Sequence, residues 1–147
     1  MLPRTLLVAS RAFGEQLSAQ RVATAVARGL ADGGWQVDLC PIEAPARATG
    51  PASGVGELLG ALDFDARMRS ARALIVCEYR LQEDTLTGSV AFEIATRARQ
   101  SGVPAYAVTA HDGLDSFDAR VLDLQAIVQA TGTRSLRTAG RRLAGLV

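Results

Sequence analysis

Ala73-Leu74-Ile75-Val76-Cys77 is an uninterrupted apolar run, and the polar stretch Glu78-Tyr79-Arg80 follows it directly. A short run that is apolar at every position is typical of a strand buried on both faces, so we place it at the centre of a parallel sheet. Four further runs read as strands: Thr5–Ala9, Trp35–Cys40, Val103–Thr109 and Gln125–Gln129. The run Trp35–Cys40 alternates apolar and polar residues, which favours an edge position.

Amphipathic segments separate these strands. Ser18 stands where an N-cap belongs, Val22, Val26 and Leu30 follow at helical spacing, and Gly33-Gly34 ends the helix. Further helices are predicted over Val55–Leu62, Asp65–Ser70, Gly88–Gln100, Ser116–Leu122 and Thr133–Leu146. Strands that alternate with helices form right-handed βαβ units. We therefore predict one α/β domain, residues 1–147, with a flavodoxin-like (Rossmann-like), doubly wound parallel sheet of order 2-1-3-4-5.

Composition removes several functional classes. The net charge is +1, which gives no reason to expect nucleic acid or a membrane as a partner. All 16 basic residues are Arg, so the chain has neither a Walker-A lysine nor a Schiff-base lysine. With one His and no CxxC spacing, no metal site is predicted. We interpret Cys40 and Cys77 as reduced, buried thiols and expect a cytoplasmic protein.

Ligands of doubly wound sheets bind beyond the carboxyl ends of the strands, at the switch point of the strand order. The loops to consider are therefore Ser10–Gln16, Cys77–Thr87 and Ala110–Asp115. None of them carries GxGxxG or GxxxxGK[ST], the fingerprints of dinucleotide and nucleoside triphosphate sites. Their polar side chains are the candidate site residues: Arg11, Glu78, Arg80, Asp84, Thr85, His111 and Asp112.

The stretch from Glu78 to Gly88, EYRLQEDTLTG, resembles the hallmark of the glycerate kinase family, GEGRLDxQTxxGK. The preceding segment from Asp63 to Val76 is similar to the family's FDxRLxGADLVIT, and Gly102-Val103-Pro104 matches its GVP. Near the N terminus, Ala9 to Ala19 (ASRAFGEQLSA) is similar to APDSFKGSLSA. The resemblance spans almost the whole chain, and it implies the core of a kinase that phosphorylates glycerate with ATP and magnesium.

The chain departs from that family's pattern at the residues that handle phosphate. Arg11, Ala12 and Gly14 replace the first loop's Asp, Ser and Lys, and Ser89 replaces the hallmark's Lys. Tyr79 stands where the family has Gly, and it adds a ring that would fill part of a phosphate pocket. The family's second domain is inserted after the second strand, whereas here the loop at residues 44–56 bridges that point.

Three functions remain open. The first is a protein without kinase activity, a pseudoenzyme that binds a small polar or anionic ligand or a protein partner and uses no cofactor. The second is an enzyme of different chemistry in which Glu78, Arg80 and His111 are catalytic and the other four candidates bind the ligand. The third is a minimal kinase, which alone would need ATP and magnesium. We favour the first, and we expect a homodimer because the missing domain would have covered apolar surface.

Two of the candidate groups also have purely structural interpretations. Glu78 and Arg80 are spaced to form an ion pair that orders their own loop. Thr85 and Ser89 precede a predicted helix and are suited to capping it.

Overall fold

The computed structural model describes residues 4–43, 54–86 and 89–147 of the chain. Within these residues, five strands form one sheet in the order β2-β1-β3-β4-β5, and every neighbouring pair is parallel. The strands are β1 Thr5–Ser10, β2 Gln36–Pro41, β3 Ala73–Leu81, β4 Ala105–Asp112 and β5 Leu124–Gln129. The flavodoxin-like order predicted from the sequence is confirmed, with β3 in the centre and β2 at an edge.

Helices cover both faces of the sheet. They are α1 Ala19–Asp32, α2 Val55–Ala61, α3 Phe64–Arg69, α4 Val90–Gln100, α5 Ser116–Leu122 and α6 Thr133–Ala144, with a 3-10 helix at Glu83–Leu86. Successive residues of β1 face opposite sides, so Leu6 and Val8 pack in the cluster that includes α1 and α6. Leu7 and Ala9 pack in the cluster that includes α2, α3 and α4.

Helix α1 begins and ends where the sequence predicts. The Ser18 hydroxyl accepts a hydrogen bond from the Arg21 N–H at 3.2 Å, which satisfies one amide of the first turn. At the other end, Gly33 is the C-cap and Gly34 has a φ of 90°, a conformation that favours glycine. The chain can therefore turn directly into β2.

The helices α1 and α6 touch through their backbones. A Cβ atom added to Gly29 would lie 2.7 Å from the Arg141 nitrogen, and one added to Gly140 would lie 3.0 Å from the Leu30 nitrogen. The side chains of Arg137 and Arg141 both donate to Asp32 across this contact, at 2.9 and 2.8 Å. Because glycine has no Cβ atom, the two helices can approach closely. Ion pairs then join the end of α1 to α6.

The strands β3 and β4 extend further than the sequence indicates. Glu78–Leu81 and 110–112 were expected in loops, but Arg80 pairs with His111 and Leu81 with Asp112 as a continuation of the parallel ladder. The Gly113 N–H then donates to the Leu81 carbonyl at 2.6 Å. The polar composition of these segments suggested loops, whereas their backbone groups satisfy one another across the sheet.

The structure also bears on the predictions for the cysteines, the insertion loop and membrane-spanning helices. Cys40 and Cys77 are buried, unpaired thiols as expected, and burial raises the pKa of both. In the predicted insertion loop, residues 44–53 lie outside the described residues, and Gly54 precedes α2. No helix in the described segments combines the length and the hydropathy needed to cross a bilayer.

Candidate functional site

The loop after β1 is held against the end of β3. The buried Ser10 hydroxyl donates to the Ala19 carbonyl at 2.7 Å, which ties the end of β1 to the start of α1. The Arg11 N–H donates to the Cys77 carbonyl at 2.9 Å, and the Phe13 N–H donates to the Leu17 carbonyl at 2.8 Å. These bonds bring Arg11 next to the first residues of the hallmark stretch.

Glu78 is the innermost carboxylate of this edge. It is half-buried in β3, and burial raises its pKa above the ordinary value because the charged form loses solvation. The positive charge of Arg11 and a hydrogen bond from the Tyr79 backbone act in the opposite direction. The sequence offered Arg80 as the partner of Glu78, whereas the cation that acts on its pKa is Arg11.

Tyr79 is at the centre of the side chains that meet here. Its ring makes edge contacts with Phe13, at 5.8 Å between centroids, and with His111, at 5.0 Å. The Arg80 guanidinium lies over the same ring, 5.2 Å from its centroid. A Cβ atom on Gly14 would lie 3.7 Å from the Tyr79 Cζ atom, so the ring also lies against the first loop.

The second strand of the edge, β4, supplies Thr109 and His111. The buried Thr109 hydroxyl donates to the Tyr79 carbonyl at 3.1 Å and accepts from the His111 N–H at 3.3 Å. His111 is exposed and is register partner to Arg80. Thr109 therefore fixes the relative position of the two strand ends that present the ring, the imidazole and the guanidinium.

The remaining candidates make local contacts. Asp84 is exposed in the 3-10 helix and accepts a hydrogen bond from Gln82 at 3.2 Å. Asp112 accepts from the Leu114 N–H at 3.4 Å, within its own turn. The Thr85 side chain lies outside the described residues. Ser89 caps α4 by accepting from the Phe92 N–H at 3.0 Å, as its structural interpretation predicts.

The structure thus brings two of the seven candidates, Arg80 and His111, against the Tyr79 ring, and it places Arg11 near Glu78, the residue before Tyr79 in β3. Tyr79 itself was noticed in the sequence as a replacement for Gly but was not counted as a site residue. Phe13 and Thr109 were missed, because an apolar residue in a loop and a Thr at a strand end carry no signal of their own in one sequence.

The side chains that contact the Tyr79 ring do not fit a magnesium nucleotide. A guanidinium, an aromatic ring and an imidazole meet at Tyr79, where magnesium would require carboxylate oxygens. Across the described ranges 4–43, 54–86 and 89–147, no group of three or more His, Cys, Asp or Glu side chains is arranged to hold a metal ion.

Solved structures share the fold of this chain at low sequence identity. An oxidoreductase from Corynebacterium diphtheriae is 13% identical with a TM-score of 0.53, over 100% of this chain and 98% of that one. The diflavin flavoprotein A3 from Nostoc sp. is also 13% identical, with a TM-score of 0.50 over 97% and 90% of the two chains. At such identities the similarity shows the fold alone.

A family model, rather than a single solved structure, shows the family of this chain. The putative glycerate kinase 2 from Salmonella typhimurium LT2 is 16% identical over 77% of this chain, which spans 27% of that kinase's length, with a TM-score of 0.47. No curated protein matches the sequence. The model of the glycerate kinase family, however, matches residues 47–144, well over half of the chain. The chain therefore belongs to the glycerate kinase family.

Proposed function

We propose that this protein does not transfer phosphate and instead binds a small carboxylate at the carboxyl edge of its sheet. The observation that carries the proposal is the position of the Tyr79 ring, which lies against Phe13, Gly14 and His111 where the family pattern has a glycine. Side-chain volume at that point takes space that a bound triphosphate would need. The proposal concerns this chain, which corresponds to a fraction of the glycerate kinase it resembles.

Phosphoryl transfer depends on cations and a metal placed around the transferring group. The first loop carries Ala12 and Gly14 where the family has Ser and Lys. Ser89 replaces the Lys of the hallmark, and its hydroxyl caps α4. Glu78 is the half-buried carboxylate of this edge, and its burial disfavours the charged form that a metal would require. These features together support the loss of kinase activity.

The same residues support the binding of a carboxylate. The Arg80 guanidinium lies over the Tyr79 ring, and the His111 ring packs nearly perpendicular to it. A guanidinium binds a carboxylate through two parallel hydrogen bonds, and the ring offers a flat apolar surface for the carbon skeleton of the ligand. Arg11 beside Glu78 supplies a second positive charge at the edge. Asp84, Thr85 and Asp112 are proposed to contact polar groups of the ligand further out.

Titration calorimetry with glycerate and malonate tests this function. We expect one of these acids to bind, and we expect Arg80→Gln to weaken that binding by at least about tenfold, since the bidentate pair of charge-assisted hydrogen bonds is lost. Arg72→Gln is the matched control, since Arg72 is exposed and follows α3, and it should leave the affinity unchanged. Binding of Mg-ATP with neither acid bound, or equal losses in the two variants, would contradict the proposal.

A further inference from the structure

A concave surface between α1 and α6 is lined by four arginines. It has a volume of about 460 Å³ and is bordered by Arg21, Thr24, Ala25, Arg28, Thr133, Arg134 and Arg137. We call it the arginine groove, after Arg21, Arg28, Arg134 and Arg137. The first two arginines come from α1 and the other two from α6, so positive charges line the groove from both sides.

The charge of the arginine groove is largely uncompensated. Its lining includes no Asp or Glu. One of the four arginines, Arg137, is paired with Asp32, which also accepts from Arg141. Among the ion pairs of the described residues, none involves Arg21, Arg28 or Arg134. Positive charge is therefore concentrated in one concavity of a chain whose net charge is only +1.

The backbone contact of the two helices keeps the arginines close together. Gly29 and Gly140 allow α1 and α6 to touch, and both helices bury an apolar face against the sheet. The spacing of the two helices is therefore set by the packing of the core, which keeps the backbone positions of the four arginines close together. Repulsion among like charges held in this way is relieved by a bound anion.

We propose that the arginine groove binds a compact, phosphate-bearing small molecule with two or more negative charges. Arginine forks match the geometry of phosphate oxygens, and Arg21 and Arg28 of α1 can contact one ligand from the side opposite to Arg134 of α6. The volume falls in the range of about 300–1000 Å³ that small-molecule sites occupy. A bounded concavity on a nearly neutral chain favours a small anion over an extended polyanion such as nucleic acid.

Inorganic pyrophosphate is the probe, and titration calorimetry at low salt is the measurement. We expect pyrophosphate to bind the wild-type chain, and we expect the double variant Arg21→Gln/Arg134→Gln to bind it at least about tenfold more weakly, since each guanidinium supplies charge-assisted hydrogen bonds. The double variant Arg69→Gln/Arg72→Gln removes the same charge from exposed positions in and after α3. It should bind pyrophosphate like the wild type.

Three outcomes would overturn this proposal. The first is a wild-type chain that binds no pyrophosphate at millimolar concentration. The second is an equal loss in both double variants, which would reduce the effect to overall charge. The third is tighter binding of a single-stranded oligonucleotide or a glutamate-rich peptide than of pyrophosphate. Arg80→Gln should leave pyrophosphate binding intact, so this site and the proposed carboxylate site can fail independently.

Discussion

Two carboxylates of this chain titrate in opposite directions. Asp32 is a surface residue whose hydrogen bonds from Arg137 and then Arg141 lower its pKa from 3.8 to about 2. Glu78 is half-buried, and burial raises its pKa above its ordinary 4.5. A pKa that differs between the folded and unfolded chains makes stability depend on pH. The two residues should therefore change the stability of the chain in opposite directions as the pH falls.

The variant Asp32→Asn should be less stable than the wild type at neutral pH. The lowered pKa means that the ionised Asp32 stabilises the folded chain above pH 3.8, and that this contribution is lost as the pH falls towards about 2. Urea unfolding at neutral pH and at several acidic pH values should therefore show that the free energies of unfolding of the wild type and the variant become more similar as the pH falls. Glu15→Gln, at an exposed position, is the control; a loss of stability in Asp32→Asn that stays constant with pH would contradict the assignment.

The variant Glu78→Gln should be more stable than the wild type at neutral pH. Burial raises the pKa of Glu78, so ionising this residue is less favourable in the folded chain than in the unfolded chain. The wild type therefore loses stability as the pH rises above 4.5. The gain of the variant should disappear below that pH, where Glu78 is protonated in both states. Thermal unfolding measures it, with Glu83→Gln as an exposed control. A gain that persists in acid, or a loss at neutral pH, would be evidence against this environment.

The residues of the site could be predicted from the sequence, but their arrangement could not. Arg11, Glu78, Arg80 and His111 could be placed at the carboxyl edge because the strand order of the fold brings their loops together. The contacts of Arg80 and His111 with Tyr79 could not be predicted, because the direction of a ring at a strand end depends on neighbours from other strands. Thr109, which bonds to the Tyr79 carbonyl, comes from 30 residues further along the chain.

At the scale of elements, the α1–α6 contact depends on glycines inside helices. Gly29→Ala should lower the free energy of unfolding by about 1–3 kcal/mol, because the added methyl group overlaps the backbone of α6 and forces the helices apart. Gly60→Ala is the matched control, since it also lies in a helix but would meet nothing within 4 Å.

The control should gain about 0.5–1 kcal/mol from the better helix propensity of alanine. Chemical denaturation of the two variants measures the contrast. If both substitutions had the same effect, the close approach of α1 and α6 would be refuted.

Element boundaries were predicted least well where polar residues continue a strand. The apolar run that marks β3 ends at Cys77, yet the strand continues to Leu81 because β4 extends beside it to Asp112. Strand pairing between distant segments determines this extension, and the local pattern contains no trace of it. Gly29 and Gly140 are a second example. In the sequence a glycine within a helix indicates only a lower helix propensity, and its role in helix packing is visible only once the neighbouring helix is known.

For the molecule as a whole, the periodicity of apolar residues was sufficient to predict the sheet. Runs apolar at every position mark strands covered on both faces, and the described helices do cover both. The strand order followed from the alternation of strands and helices, which is typical of doubly wound sheets. Function does not follow in the same way, because one fold supports many activities and the site alone distinguishes them.

The central claim is that the carboxyl edge of this sheet has lost phosphoryl transfer. The most direct measurement is the release of ADP from Mg-ATP in the presence and absence of glycerate. The account predicts no glycerate-dependent release above the rate without protein. Release that requires glycerate, is abolished in Arg80→Gln and is retained in Arg72→Gln would contradict it.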